Sequence, residues 1–473
     1  MIKKITSLLV FTFLLSIQSQ AQETNILLII ADDLGVDFSN GYQYANLLPT
    51  TPTLDSLRGA GITFDNMFST PKCTPSRATI MSGKHGIKTG VLGTPGNLDL
   101  VHKSIFKAIE DETNNSYSDA VIGKWHISQP VNPLHPSQHS IDYYTGLMSA
   151  SVSDYYAWEH TENGITTIDS TYVTTALTDA SINWVNAQTK PWFLWLAHVA
   201  PHSPYHVPPN SLYSINATGT NTRKYVAAIE AIDHEIGRLL NNIPQAELDN
   251  TIIIFIGDNG TPGNVLQNYP SGHGKGTVYQ GGIRVPMIVS GAGVTRQGER
   301  EGALIQITDI HATLLEIAGA DLPGGVFNSL SFKHLLNNTA GSSRDYNYSE
   351  LVEGTADIFT MRNERYKLIE SNLSGDQQFF DLWTDTLETT DLIPIGLDAT
   401  QTAIKDDLRA EAIQRRDAWS CFDHIKNGDE TDIDCGGTYC GSCETSIEEN
   451  VNESVKIYPN PANDEVRISI EEG

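Results

Sequence analysis

The sequence has 473 residues, 40% of them hydrophobic and 18% charged, which is enough apolar material for several packed domains of roughly 100–200 residues each. Aspartate and glutamate number 57 against 30 lysines and arginines, so the formal net charge is −27. This balance argues against a nucleic-acid-binding protein and against a basic membrane-surface protein. An anionic substrate would have to be bound by a local cluster of cations.

The N-terminus has the pattern of a secretory signal peptide. Lys3 and Lys4 precede an apolar run over residues 5–17, and Ser19-Gln20-Ala21 then places small residues where signal peptidase cleaves. We predict a signal over residues 1–21 and a secreted or cell-surface protein.

Export affects how the five cysteines are interpreted, because disulfides persist outside the cytosol. Four of them fall close together and predict a two-disulfide module over residues 421–443, with the connectivity left open: Cys421, Cys435, Cys440 and Cys443. Cys73 stands alone. It is therefore either an inert buried thiol or a chemically special one.

Three unbroken apolar runs predict strands that are covered on both faces, as in a parallel sheet flanked by helices. They cover residues 25–30, 191–197 and 251–256. Amphipathic segments between them predict helices over residues 51–61, 76–82, 104–110, 171–188, 223–242 and 308–319. We predict an α/β domain over residues 22–340, built on a large, mixed, mostly parallel sheet.

Beyond this domain the pattern changes to short alternating segments. Residues 359–362, 366–369 and 379–382 predict an antiparallel sheet, and a helix is expected over residues 401–419. We predict a smaller α+β subdomain over residues 341–420. An acidic linker over residues 444–454 follows the cysteine-rich module.

Polar residues follow two of the predicted parallel strands directly. Asp32 and Asp33 follow the first run, and Asp258 and Asn259 follow the run that ends at Ile256. Ligands of open α/β sheets bind beyond the carboxyl ends of the strands, so these four side chains should meet there. Such a set of oxygens suits Ca²⁺ or Mg²⁺. Taken singly, each pair is also an ordinary turn or helix-cap signal.

Cys73 precedes Pro75 at the start of a predicted helix, and Arg77 follows four residues after the cysteine. A cysteine at the positive end of a helix would have a lowered thiol pKa, so thiolate catalysis is one interpretation. A structural, buried cysteine is the other.

The whole string Cys73-Thr74-Pro75-Ser76-Arg77, followed by a short helix ending in Ser82-Gly83, resembles the signature of the formylglycine-dependent (type I) sulfatases of the alkaline phosphatase superfamily. The resemblance extends over most of residues 24–392. Further matching strings follow in the order of the family: Gly123-Lys124-Trp125-His126, Ala200-Pro201-His202-Ser203-Pro204, Gly257-Asp258-Asn259-Gly260, residues 274–286 and Phe380-Asp381-Leu382. It implies an alkaline-phosphatase-like fold.

The resemblance also implies a metal, usually calcium with magnesium as the alternative, held by Asp32, Asp33, Asp258, Asn259 and the modified Cys73. It implies that a maturation enzyme (a formylglycine-generating or sulfatase-maturing enzyme) oxidises Cys73 to 3-oxoalanine, that is formylglycine. One hydroxyl of the hydrated aldehyde would attack sulfur and displace the alcohol, and the second would then expel sulfate.

Roles for the remaining polar residues follow from the same resemblance. Arg77 would orient the hydrated aldehyde, and Lys124 and Lys275 would bind the sulfate oxygens. His126 would be the base for sulfate release, and His202 would protonate the leaving alkoxide.

Two further segments bear on the substrate and the destination of the protein. The stretch 129–164 is rich in aromatic and histidine residues, which predicts an insert with rings that stack on sugars, with local packing of about half of these rings as the alternative. Residues 455–473 resemble the start of the C-terminal sorting domain of the Bacteroidetes type IX secretion system, whose machinery would then be a partner. Nineteen residues are too few for that β-sandwich, so we expect this domain to be truncated here.

These observations lead to one leading hypothesis and two alternatives. We expect a sulfatase that acts on a sulfated carbohydrate, such as the algal polysaccharide ulvan or its oligosaccharides. A phosphonate monoester hydrolase or phosphodiesterase of the same superfamily is the first alternative. The second is a non-catalytic glycan-binding surface protein in which Cys73 is never oxidised.

Overall fold

The structure of the protein is a computed structural model, and the residues it describes are 23–42, 47–128, 131–321, 328–339 and 341–418. The predicted signal peptide, cysteine-rich module, linker and sorting segment lie outside these ranges. Among the described helices, none combines the length and the apolar content needed to cross a lipid bilayer.

A mixed sheet forms the centre of the larger part of the chain. Its strands are β1 (Asn25–Ala31), β2 (Gly61–Phe68), β3 (Ser118–Lys124), β4 (Tyr143–Leu147), β5 (Trp158–Glu162), β6 (Ile165–Asp169), β7 (Trp192–His198), β8 (Thr251–Gly257), β9 (Met287–Gly291) and β10 (Glu299–Gln306). Within the described ranges these strands lie in the order β10-β2-β9-β8-β1-β7-β3-β4-β5-β6. The central run from β8 through β1, β7 and β3 to β4 is parallel, whereas β9, β5 and β6 run antiparallel to their neighbours.

Helices cover both faces of this sheet. They are α1 (Pro52–Gly59), α2 (Cys73–Ser82), α3 (Gly86–Thr89), α4 (Ile105–Glu112), α5 (His135–Gln138), α6 (Val173–Asn186), α7 (Asn221–Asn242), α8 (Gln245–Asp249), α9 (Gln280–Ile283) and α10 (Asp309–Ala318). One apolar cluster packs α2, α4 and α10 against one face, and a second packs α1, α6 and α7 against the other.

Strand β1 shows why the unbroken apolar runs predict this architecture. Ile26, Leu28 and Ile30 point into one core cluster, while Leu27 and Ile29 point into the other. Successive side chains of a strand alternate between faces, so a strand covered on both sides must be apolar throughout. The predicted α/β fold with a large, mostly parallel sheet is confirmed.

A smaller antiparallel sheet follows, with the strands β11 (Asn347–Glu353), β12 (Ala356–Arg362), β13 (Tyr366–Ser371) and β14 (Gln377–Asp381) in sequential order. Helix α11 (Ala399–Ala418) packs on it through Leu408 and Ala412, against Phe359, Leu368 and Phe379. This is the α+β unit expected after the larger sheet.

Candidate active site

The carboxyl ends of β1 and β8 bring the predicted acidic residues together. Ala31 is in register with Gly257 across the two parallel strands, so the residues that follow each strand become neighbours. The backbone N–H of Asp33 donates to Asp258 Oδ1 at 3.0 Å, and Asn259 Nδ2 donates to Asp33 Oδ1 at 2.8 Å. Asp32, the fourth member of the set, is fully buried beside them. The predicted juxtaposition of these four side chains is present in the structure.

The backbone is held in an unusual conformation at two of the site residues. Asp33 and His126 have φ angles of 69° and 54°, in the left-handed region that residues with a side chain rarely adopt. Such backbone is retained where the surrounding structure determines it, and it occurs preferentially at functional sites. Both strained positions carry side chains that the sequence singled out.

Two buried cations neutralise the carboxylates. Lys124 Nζ donates to Asp32 Oδ2 at 2.5 Å, and Arg77 donates to Asp258 Oδ2 from Nη2 at 2.8 Å and from Nε at 3.2 Å. Arg77 Nη1 also donates to the carbonyl of Lys124 at 2.7 Å, which ties helix α2 to the end of β3. Gly123 precedes this lysine with a φ of 117°, and a β-carbon there would overlap the carbonyl oxygen of Ala197.

Cys73 is the first residue of α2, at the positive end of the helix dipole. Every side chain of this helix is buried, and Gly83 ends it in the left-handed conformation. Cys73 Sγ lies 3.3 Å from His126 Nδ1. Burial raises the pKa of the Cys73 thiol above its usual range even though Lys124 opposes the shift, so the helix dipole does not make this residue a thiolate.

His126 faces Cys73 as a neutral ring. Burial lowers the pKa of His126 far below its usual range, and the nearby charges of Lys124 and Arg77 lower it further. The ring is therefore neutral. Thr74 Oγ1 contacts both of its nitrogens at 3.3 Å and in turn accepts a hydrogen bond from Thr94 Oγ1 at 3.0 Å.

Lys275 and His202 form the more exposed side of the site, with side chains 20% and 15% exposed. Lys275 Nζ lies 2.5 Å from Asp33 Oδ1, and His202 Nε2 lies 3.7 Å from Asp33 Oδ2. Burial alone would raise the pKa of Asp33, but the charges of Lys275 and His202 outweigh it and the pKa is lowered. Burial likewise opposes the positive charge of Lys275, yet Asp33 and Cys73 raise its pKa above the usual range.

The donor set fits a hard divalent cation. Asp32, Asp33 and His202 each offer a ligand atom within 4.8 Å of the other two. In the described part of the chain, Asp32 Oδ1 and Asn259 Oδ1 are buried without a hydrogen-bond partner, and such oxygens are costly unless a cation or water meets them. Burial, followed by the neighbouring charge of Asp32, raises the pKa of Asp258 despite the opposing charge of Arg77, so the charged form of this carboxyl is disfavoured without a further cation.

His202 belongs to this cluster, with its Nε2 3.7 Å from Asp33 Oδ2. Asp258, by contrast, already binds Arg77 and the N–H of Asp33. No sequence signal distinguished these two positions, because a histidine four residues beyond the end of a strand can point in many directions. The turn after β7 sets the position of His202 beside Asp33.

The aromatic insert is mostly not available for stacking on sugars. Tyr144, Tyr155, Trp158, His135 and His139 are buried, and strands β4 and β5 run through the segment. Tyr156 is 39% exposed and remains accessible. For these five rings the structure shows local packing, the alternative to stacking on sugars.

Sequence reasoning missed two other residues that shape the site. Tyr225 on α7 donates from its hydroxyl to the carbonyl of Asp33 at 2.5 Å and so supports the strained backbone there. Thr94, on a loop with no strand or helix signal, reaches His126 through Thr74. Neither residue belongs to a recognisable motif.

The chain matches two family models, "Sulfatase" over residues 24–320 and "N-sulphoglucosamine sulphohydrolase, C-terminal" over residues 272–418. It is 29% identical to arylsulfatase J of Mus musculus over 63% of this chain and 52% of that protein. It is 27% identical to N-acetylgalactosamine-6-sulfatase of Sus scrofa over 65% of each protein. The aligned part thus spans about half to two thirds of these relatives.

Among solved structures, Ps i-CgsB in complex with k-i-k-neocarrahexaose superposes with a TM-score of 0.73 at 24% identity, covering 86% of this chain and 94% of that one. This likeness supports the alkaline-phosphatase-like fold. The first family model covers most of the larger sheet and the residues that meet at its carboxyl edge. The chain is a member of the sulfatase family.

Proposed function

We propose that this protein hydrolyses sulfate monoesters of a sulfated carbohydrate. The observation that carries this proposal is the position of Cys73. This residue begins a fully buried helix, faces His126 and lies close to the cations Lys124 and Lys275. A small anionic ester group would meet Lys124, Lys275 and the start of α2 there.

We further propose that Cys73 is converted to formylglycine. A neutral, buried thiol is a poor nucleophile, so the raised pKa of Cys73 supports a different reacting group at this position. The hydrated aldehyde would supply one hydroxyl for attack on sulfur and a second for expulsion of sulfate. A maturation enzyme would carry out the oxidation before the chain folds, because the folded helix buries this side chain.

The surrounding residues can bind, orient and move protons. Arg77 is fixed by Asp258 and by the carbonyl of Lys124, so it holds the start of α2 against the carboxylates. Lys124 and Lys275 offer positive charge to the oxygens of the ester. His126, neutral and 3.3 Å from Cys73, would take a proton from the group at position 73.

His202 and Asp33 face the more exposed side, where the alcohol must leave. His202 Nδ1 is 2.6 Å from the carbonyl of Ser203, which leaves Nε2 directed toward Asp33 Oδ2. His202 would donate a proton to the departing oxygen, with Lys275 as the neighbouring cation.

Asp32, Asp33 and Asn259 would hold a calcium ion, with Asp258 and His202 as the adjoining groups. When bound, this ion would offset the negative charge of the carboxylates and act as a Lewis acid toward the ester. The unpartnered oxygens of Asp32 and Asn259 support this assignment.

The names of similar proteins support a carbohydrate substrate. One relative acts on N-acetylgalactosamine 6-sulfate by its name, and one structural neighbour was solved with a carrageenan-type hexasaccharide. We propose a sulfated polysaccharide or its oligosaccharides, ulvan among them, and a secreted or surface-attached enzyme.

The test is sulfate release from a panel of defined oligosaccharides of ulvan, carrageenan, fucoidan and glycosaminoglycans. Mass spectrometry of the Cys73 peptide runs in parallel, and conversion of the thiol to the aldehyde lowers its mass by about 18 Da. Cys73→Ala is the matched control and should release no sulfate. An active protein with an unmodified Cys73 would refute the mechanism, and faster hydrolysis of 4-nitrophenyl phosphate than of 4-nitrophenyl sulfate would favour the phosphoesterase alternative.

A further inference from the structure

An ion pair next to Cys73 joins the start of helix α2 to the end of strand β11 in the smaller sheet. Lys72 immediately precedes Cys73 and caps helix α2, and its Nζ pairs with Glu353 Oε2 at the end of β11. The side chains are 24% and 37% exposed, so the pair is open to solvent on one side. The ion pair is thus a charged, partly exposed surface next to the buried Cys73.

Short contacts place this pair on the rim of the site. The N–H of Gly276, next to Lys275, donates to the carbonyl of Pro71 at 2.9 Å, and a β-carbon on Gly276 would lie 3.7 Å from Lys72 Cε. On the other side, a β-carbon on Gly93 would lie 3.5 Å from Glu353 Cβ. Gly93 precedes Thr94, whose hydroxyl donates to Thr74 Oγ1, and Thr74 in turn contacts His126. Lys72 therefore lies beside the loop that carries Lys275, and Glu353 lies beside the loop that carries Thr94.

The ammonium of Lys72 is directed toward Glu353. The cations that act most strongly on Cys73 are Lys124 and Lys275. These two cations, in the proposed function, meet the sulfate that is cleaved. Lys72 and Glu353 would instead meet the sugar to which that sulfate is attached.

A carboxylate beside an ammonium is chemically matched to neighbouring hydroxyls. The carboxylate accepts a hydrogen bond from one hydroxyl, and the ammonium donates to the oxygen of the next. A sulfate at either position removes the hydroxyl donor and adds a negative charge close to the carboxylate. Juxtaposed like charges disfavour binding, and a site built to bind a hydroxyl rejects an analogue that lacks it.

Resting on the proposed function, we propose that Lys72 and Glu353 form a hydroxyl-binding subsite that makes the enzyme select sugars carrying a single sulfate next to free hydroxyls. Glu353 is the specificity-determining residue of the two. By pairing with the ammonium of Lys72, Glu353 keeps that lysine from binding a second anionic group of the substrate.

The experiment compares kcat/KM for two probes. First, the 3-, 4- and 6-monosulfates of 4-nitrophenyl β-galactoside identify the position that the wild-type protein cleaves. The monosulfate that the wild type cleaves is the first probe. The second probe is the disulfate of the same galactoside, which carries that sulfate and an additional one on a neighbouring carbon. We expect the wild type to prefer the monosulfate by about tenfold or more, the effect of roughly one unfavourable charge contact.

Glu353→Gln keeps the size of the side chain and removes its charge, so the preference should shrink by about tenfold, mainly through a lower KM for the disulfate. Glu316→Gln is the matched control, because Glu316 also pairs with an exposed lysine, Lys333, at a distance of 4.0 Å, on helix α10. The control should keep the wild-type ratio. Unfolding temperatures of both variants check that the fold is retained.

The outcomes separate this proposal from the proposed function. If the wild type releases sulfate from 4-nitrophenyl sulfate but Glu353→Gln leaves the ratio of the two probes unchanged, the selectivity proposal is overturned and the sulfatase function stands. A wild-type preference for the disulfate overturns it as well. If the fully converted wild type releases no sulfate from any ester, the proposed function fails and this subsite fails with it.

Discussion

Lys124 Nζ and Asp32 Oδ2 are 2.5 Å apart, and both side chains are fully buried. The pair joins the end of β3 to the end of β1 across the intervening strand β7. Two charges removed from water stabilise the fold only as long as each compensates the other. Removing either partner would therefore leave a buried charge uncompensated.

The first prediction concerns the loss of this lysine. Lys124→Met keeps the length of the side chain but leaves Asp32 without its ion pair, and the free energy of unfolding should fall by about 3–5 kcal/mol in the presence of a chelator. Excess calcium should restore part of this loss, because a cation beside Asp32 supplies the missing charge. Urea unfolding with EDTA and with calcium measures both values. An equal loss under the two conditions would argue against a cation at Asp32.

The second prediction concerns the unpartnered oxygen of Asn259. Excess calcium should raise the unfolding temperature of the wild-type protein, since a ligand at a hundred times its Kd stabilises the fold by about 2.7 kcal/mol. Asn259→Ala removes one ligand oxygen and should reduce this calcium-dependent increase. The partly exposed Asn250, which donates to the carbonyl of Glu23, provides the control Asn250→Ala. An undiminished increase in Asn259→Ala would remove Asn259 from the metal site.

The third prediction separates the charge of Arg77 from its geometry. Arg77 makes three hydrogen bonds, two to Asp258 and one to the carbonyl of Lys124, and a lysine cannot reproduce this planar arrangement. Arg77→Lys should lower kcat/KM for sulfate release by about 10²–10³ although the charge is retained. Arg365→Lys, which alters a comparable two-bond contact with Asp381 on an exposed turn, should leave kcat/KM unchanged. Equal activity of Arg77→Lys and wild type would mean that charge alone suffices.

The fourth prediction concerns stability against pH. Burial raises the pKa of Asp119 to about 8 from its usual 3.8, with a hydrogen bond from the N–H of Asp142 opposing the shift. Because the pKa in the folded state lies above that in the unfolded state, the protonated carboxyl favours the fold. This contribution is complete below the unfolded pKa and is lost as the pH rises through about 8.

Asp119→Asn cannot ionise and retains an oxygen for the N–H of Asp142. It should therefore raise the free energy of unfolding by about 1–3 kcal/mol at pH about 9, with little change at pH about 4. Asp154→Asn is the control, because Asp154 accepts a backbone N–H from Tyr156 on the exposed surface. A gain of the same size at both pH values would show that Asp119 does not change ionisation on unfolding.

Much of the fold could be predicted from local pattern. The apolar runs of β1, β7 and β8 are long enough and continuous enough to exclude exposed strands, and the helix α7 carries a clear apolar stripe. Strand β2 was not predicted, because Asp65 and Asn66 interrupt its apolar pattern near the carboxyl end. Its pairing with β9 and β10 depends on residues more than 200 positions away, which no local pattern reports.

The sequence by itself determined that polar residues directly follow the parallel strands β1 and β8. It also determined the position of Cys73 at a helix start and the family to which the chain belongs. These features are local: each depends on a few adjacent residues and on the periodicity of side chains. Only the tertiary structure decided that His202 joins Asp32 and Asp33, that the rings of Tyr155 and Trp158 turn into the core, and that Glu353 meets Lys72. Those arrangements depend on segments far apart in the chain, and their geometry is fixed by tertiary packing, which has no counterpart in any short stretch of residues.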